Sequence, residues 1–183
     1  MFLEKLYHIE ETFTSQFCDN FIKLGEQRKL KEAKIQDGNQ VNRKSKVSWI
    51  NKQQVDILKT INNINKRCSW NFDISVCEPL QYTVYEEKDF YDWHIDSHSK
   101  PYDNGYIRKL SFTICLNDDY EGGEFELSLP NPKPEKHRFF KFNEVFKKGT
   151  LIVFPSFTWH KVNPVTKGHR KVLVGWLLGK PFV

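Results

Sequence analysis

From Ile74 onward the chain is a succession of short β-type runs broken by turn residues, and this pattern constrains the fold most. The runs are Leu80–Tyr85, Phe90–Ile95, Lys109–Leu116, Gly123–Leu129, Thr150–Phe154, Trp159–Val162 and Lys171–Leu178. Seven or more strands at this spacing predict a sandwich, jelly roll or barrel. Pro130, Pro132 and Pro134 keep Leu129–His137 from pairing as a strand, so that stretch reads as a surface loop.

Before Ile74 the pattern is helical. Phe17–Leu30 places Phe17, Phe21, Leu24 and Leu30 at helical spacing, with Thr14 or Ser15 as its cap. Gln53–Cys68 repeats it with Val55, Leu58, Ile61, Ile64 and Cys68. Lys34–Ser48 between them is polar and holds Gly38 and Asn39, which predicts a loop. With no internal repeat or linker, the 183 residues read as a single domain. Residues 1–73 form its helical support and residues 74–183 its jelly-roll core.

Composition narrows the function classes. With 15 Phe, 7 Tyr and 5 Trp, the chain has ample means to line a pocket, and disorder is excluded for its bulk. No apolar run approaches the roughly 20 residues that cross a bilayer, and Glu4, Glu10 and Glu11 break any signal-peptide pattern. Cys18, Cys68, Cys77 and Cys115 form no CxxC pair, so reduced thiols in a cytoplasmic protein are expected. The net charge of +5 sits in clusters such as Lys29–Lys31 and Arg43–Lys46. These read as a solvated face, because no zinc-finger spacing or RNA-binding signature accompanies them.

His94-Ile95-Asp96 is the most informative triplet. Residues i and i+2 of a strand share a face, so the imidazole and the carboxylate can converge on one ion while Ile95 turns into the other layer. His160, after the run Phe154-Pro-Ser-Phe-Thr-Trp, is the best third ligand. Two His and one carboxylate make the facial triad that leaves iron positions open. A lone HxD is common by chance. His8, His98, His137 and His169 sit in polar or loop-like contexts and read as solvated.

Arg170 strengthens the pattern. It falls ten residues after His160 and opens the run Arg170-Lys-Val-Leu-Val-Gly-Trp176-Leu-Leu. Two antiparallel strands joined by the turn Asn163–His169 would return it to the neighbourhood of His160. Its guanidinium could there hold a carboxylate bidentately, while Lys171 points to solvent.

These residues resemble the Fe(II)/2-oxoglutarate-dependent dioxygenases, in particular the prolyl 4-hydroxylase-like branch. The resemblance covers roughly Leu80 to Leu178 and runs through His94-Ile-Asp96, His160 and Arg170. Further elements come in order: Tyr85 and Tyr91, Arg108–Asn117, Tyr120-Glu-Gly-Gly-Glu-Phe125 and Gly149–Ser156. It implies a double-stranded β-helix core, mainly β with flanking helices. It also implies Fe(II) on His94, Asp96 and His160, with Arg170 gripping the distal carboxylate of 2-oxoglutarate. Tyr85 matches the tyrosine that approaches the cosubstrate, with Tyr82 as the alternative, and Trp176 matches an aromatic position of the same barrel. Two departures stand out. Lys88 replaces the usual glycine before the HxD, and Cys115 stands where some members place a tyrosine.

The resemblance implies oxidative decarboxylation of 2-oxoglutarate to succinate and carbon dioxide, coupled to hydroxylation of an unactivated C–H bond. O2 is the second cosubstrate, and ascorbate the one other small molecule to consider. A prolyl or lysyl residue of a protein is the leading substrate, and a free amino acid or small metabolite the alternative. The second arginine of nucleic-acid demethylases is missing after Arg170, which argues against a nucleic-acid partner. A cupin-like metal-binding domain without turnover remains a different class, against which Arg170 speaks.

Overall fold

The computed structural model describes residues 6–37, 40–51, 55–97, 100–129, 140–141 and 146–182. Its elements are β1 (His8–Glu11), α1 (Ser15–Glu26), β2 (Lys31–Asp37), β3 (Gln40–Ile50) and α2 (Val55–Arg67). Next come β4 (Val76–Cys77), β5 (Leu80–Tyr85), β6 (Phe90–His94), β7 (Ile107–Cys115), β8 (Glu121–Gly122) and β9 (Phe125–Leu127). The last are β10 (Phe140–Lys141), β11 (Thr150–Pro155), β12 (His160–Val162), β13 (Val165–Lys167) and β14 (Arg170–Gly179).

Twelve strands form one antiparallel sheet in the order β1-β11-β7-β14-β5-β3-β6-β12-β9-β10, with β2 added to β3 and β4 to β14. The sheet curls until side chains from β5, β6, β7, β12 and β14 line one pocket. This is the jelly-roll class that the strand pattern predicts.

The period of two explains the layers. On β11, Leu151 and Val153 belong to the outer core with the helices, whereas Ile152 and Phe154 belong to the inner one. Val172 and Leu173 of β14 divide in the same way. A central strand buried on both faces reads as an unbroken apolar run, as Val172–Leu178 does. The outer core packs on Cys18 and Phe21 of α1 and on Ile57, Ile61 and Ile64 of α2. Each such aliphatic side chain contributes roughly 1.5–3 kcal/mol on burial.

Several expectations need correction. Lys34–Ser48 is not a loop: β2 and β3 pair across it, and β3 is a central strand between β5 and β6. Its polarity misleads because Lys44 and Lys46 sit on a solvated rim, paired with Asp89 and Glu86. The described residues up to 73 therefore contribute three strands as well as two helices. The first helix ends at Glu26, short of Leu30, after a start capped by Thr14, whose hydroxyl accepts from the Phe17 amide at 3.2 Å. Gln53, Gly38, Asn39, His98, His137 and the proline stretch 130–137 lie outside the described residues. None of the described helices is long and apolar enough to cross a membrane.

Lys88 has a left-handed backbone, φ 66°, in the turn between β5 and β6. This is the conformation for which glycine is the usual choice. The lysine thus keeps the turn without the usual residue. The Asp89 carboxylate holds that turn by accepting from the Glu86 amide at 3.0 Å.

Candidate active site

His94 and His160 are register partners on the antiparallel strands β6 and β12. Directly opposed residues bring their side chains together, and the two imidazole centroids lie 4.0 Å apart. Asp96 arrives differently. Strand β6 ends at His94, and Asp96 lies in the bend that follows. That bend is pinned because the amides of Asp96 and Ser97 both donate to the Ser156 carbonyl, at 2.9 and 3.0 Å. Ile95 does not turn into another layer; it is 39% exposed at the pocket mouth. His94 and Asp96 thus face one another, as expected, but through a strand end and a bend rather than along one strand.

The donor atoms face one another. Asp96 Oδ1 lies 3.8 Å from His94 Nε2, and Oδ2 lies 3.5 Å from His160 Nε2. One ligand atom from each of the three residues falls within 4.8 Å of the others. Each imidazole donates from Nδ1 to a backbone carbonyl, His94 to Asp92 at 2.8 Å and His160 to Thr158 at 2.9 Å. These bonds fix the tautomer that leaves the Nε2 lone pairs free for a metal. Burial, followed by the neighbouring His160, pushes the His94 imidazole well below its ordinary pKa, so it is neutral and ligand-ready. Burial alone would raise Asp96, but His160 and His94 outweigh it and hold the carboxyl below its ordinary value. The Tyr91 ring stacks on His94 at 3.4 Å and restricts its rotation.

The three residues open into a pocket of about 300 Å³ that also holds Arg170, Tyr85 and Trp176. Arg170 reaches it by a route other than the predicted hairpin. Strand β12 pairs with β6 and β9, whereas β14 pairs with β5 and β7, and β13 occupies the connection. Arg170 therefore enters from another wall of the barrel. Its register partner is Tyr85, whose ring lies 5.5 Å from the guanidinium carbon. Tyr82 is not brought to the pocket. Its ring is fully buried on the outer face against Gly25 of α1, where any larger side chain would strike it. Cys115 is buried beside Arg170, and its thiol is pushed up to about 11 by burial.

Arg170 is 1% exposed, and no carboxylate of the described residues is paired with it. Burial weakens its hold on the proton, but Tyr120, Cys115 and Tyr85 offset that and keep it charged. Gly123, at φ 64°, makes room for it, since a Cβ there would lie 3.0 Å from Arg170 Cδ. Two buried polar atoms of pocket residues have no hydrogen-bond partner, Arg170 Nε and Thr113 Oγ1, while the Trp176 indole N–H is directed at the Asp96 carboxylate. Two imidazoles with a carboxylate suit divalent iron, and a buried cation beside orphaned donors suits an anionic oxygen ligand. The pocket's chemistry fits both.

Sequence reasoning did not single out Arg43, Arg108 or Thr113. Arg43 lies 4.7 Å over Tyr91 and donates to Ser45 and Gln81, each at 2.9 Å. Arg108 packs 3.8 Å over Trp176 and grips Glu78 with two hydrogen bonds. The alternation of polar residues inside the apolar run Arg108–Asn117 was the one available signal for Thr113.

Residues 80–178 match the family described as the 2OG-Fe(II) oxygenase superfamily. A PKHD-type hydroxylase of Synechococcus sp. strain CC9311 is 33% identical over 129 residues, 65% of this chain and 53% of that protein. Another, from Prochlorococcus marinus strain MIT 9301, is 32% identical over 145 residues, 78% of this chain and 59% of its own. The chain thus spans little more than half the length of these relatives. Among solved structures, a viral collagen prolyl hydroxylase of Paramecium Bursaria Chlorella virus-1 in complex with 2OG superposes with a TM-score of 0.71 at 21% identity, covering 95% and 96% of the two chains. A Pseudomonas putida prolyl-4-hydroxylase gives 0.68 at 18% identity, covering 93% and 91%.

Proposed function

This chain belongs to the 2OG-Fe(II) oxygenase superfamily, and on that premise we propose that it is a hydroxylase that converts 2-oxoglutarate, O2 and a C–H substrate into succinate, carbon dioxide and the alcohol. One oxygen atom enters succinate and the other enters the product. The observation that carries this reading is Arg170, a buried cation without an acidic partner among the described residues, facing the same pocket as His94, Asp96 and His160. A domain that only stores metal has no use for it, because an unpaired buried charge costs on the order of several kcal/mol.

Fe(II), which the family uses, would supply the activation of dioxygen. His94 Nε2, His160 Nε2 and Asp96 would hold it, with the Asp92 and Thr158 carbonyls orienting the rings. Arg170 binds and orients the distal carboxylate of 2-oxoglutarate, and the Tyr85 side chain lies beside it. Phe125 and Phe154 pack against His160 at 5.6 and 4.7 Å and keep bulk water off the reacting centre.

The substrate proposed is a prolyl or lysyl residue in an extended peptide. Trp49, 42% exposed, and Ile95 give the mouth an apolar edge, while Arg43 and Arg108 offer donors to backbone carbonyls. The solved neighbours named as a collagen prolyl hydroxylase and a prolyl-4-hydroxylase support a prolyl substrate as well. Four free cysteines suit a reducing, cytoplasmic setting. The experiment is a substrate screen with proline- and lysine-containing peptides, free proline and lysine, and methylated oligonucleotides. A peptide should stimulate succinate formation and gain one oxygen by mass spectrometry. Stimulation by free amino acids alone would move the enzyme to small-molecule substrates.

A further inference from the structure

Strand β7 forms one wall of the pocket, with Ser111 and Thr113 lining it. Cys115, the next residue of the same facing, is buried next to Arg170. At roughly 3.4 Å per residue, Thr113 lies two residues, about 7 Å, from each of these neighbours. Ser111 marks the metal end, where its hydroxyl helps to lower Asp96 and lies 2.9 Å from Ser156 Oγ. Thr113 thus stands midway between the triad and Arg170.

Its hydroxyl is anomalous. Thr113 is 5% exposed, and Oγ1 has no hydrogen-bond partner. Its cross-strand partners are Val174 on β14 and Ile152 on β11. Packing alone would be served by valine, which has the same shape without a polar atom to desolvate. A buried hydroxyl left unpaired opposes folding of the empty protein. Arg170 Nε is orphaned in the same pocket.

We infer that the Thr113 hydroxyl is a binding contact for the 2-oxo acid, donating a hydrogen bond to a carboxylate oxygen of the dicarboxylate that Arg170 holds. The inference rests on the reading of Arg170 as the carboxylate clamp. It explains why a polar residue sits between two aliphatic neighbours. It also gives the cosubstrate a neutral donor from β7 in addition to the charged one from β14.

Thr113→Val and Thr113→Ser test it, by calorimetric titration of 2-oxoglutarate into Fe(II)-loaded protein without oxygen and by thermal melts with and without the acid. Thr113→Val should bind 2-oxoglutarate on the order of ten-fold more weakly, as loss of a hydrogen bond to a charged group implies. Its Fe(II) affinity should be unchanged, and without 2-oxoglutarate it should melt at or above the wild-type temperature because an orphaned hydroxyl is gone. Thr113→Ser should retain the affinity. Unchanged 2-oxoglutarate affinity in Thr113→Val would overturn the inference. So would a lower melting temperature with a matching loss of iron, since that marks a packing role. Arg170→Ala serves as the parallel arm: if it binds 2-oxoglutarate as wild type does, the clamp and this contact both fail. If Arg170→Ala loses the acid and Thr113→Val does not, only this contact fails.

Discussion

The two ends of the pocket are built on opposite electrostatic plans. At the metal end Asp96 lies between two imidazoles, every Nδ1 has a carbonyl partner, and the pinned bend fixes the carboxylate. At the other end Arg170 is buried with neutral neighbours only, and its Nε is unpaired. The first end is pre-organised and needs one ion to unite its donors. The second lacks a negative charge that the described residues do not supply. A site with one complete and one incomplete end suits a resident metal and a diffusing anion.

The strongest way to break the comparison is to remove a metal ligand. Asp96→Ala or His94→Ala should lower Fe(II) affinity by more than about 100-fold, given that even outer partners of a ligand are worth about 10–100-fold. Metal analysis and calorimetry measure it. Circular dichroism should be unchanged, because the jelly-roll core does not depend on these side chains. Iron retained by both variants would dissolve the metal end.

Next in size is Arg170→Ala. It should weaken 2-oxoglutarate by about 2–5 kcal/mol and leave iron in place. Arg170→Met should also stabilise the protein without 2-oxoglutarate, since an uncompensated buried charge is replaced by an apolar chain. Lys171→Ala is the control, for its ammonium reaches Glu26 on the outer surface at 2.8 Å. Equal effects at 170 and 171 would reverse the strand facing on which the comparison stands.

Smaller effects sharpen it. Tyr85→Phe should weaken 2-oxoglutarate a few-fold, as loss of one hydrogen bond of about 0.5–1.5 kcal/mol implies. Tyr82→Phe should leave that affinity unchanged. Calorimetry distinguishes them. Smallest of all, Lys88→Gly should leave both ligand affinities alone and stabilise the protein by up to about 1 kcal/mol in urea melts. It relieves a left-handed backbone that a side chain disfavours.

These contrasts also mark what could be read from the residues alone. The β-core was legible because strands buried on both faces leave unmistakable apolar runs. The β2–β3 hairpin was not, because its charges face a solvated rim and imitate a loop. His94, Asp96, His160 and Arg170 were legible as an ordered set. The means of their convergence was hidden: register between β6 and β12 joins the histidines, a bend supplies Asp96, and curling of the sheet delivers Arg170. Tyr82 and Tyr85 could not be separated by residue type. An odd spacing of three along β5 puts them on opposite faces, and only the observed strand decides which face is inward. Thr113 was illegible because an orphaned hydroxyl is a property of the packed wall.

The most direct measurement is succinate formed from 2-oxoglutarate, with and without Fe(II), by the wild-type chain, Asp96→Ala and Arg170→Ala. Iron-dependent succinate is expected from the wild type, none above background from Asp96→Ala, and activity in Arg170→Ala restored only at much higher 2-oxoglutarate. Iron-loaded wild type that forms no succinate with any substrate in the screen, or Arg170→Ala that matches wild type at low 2-oxoglutarate, would contradict that expectation.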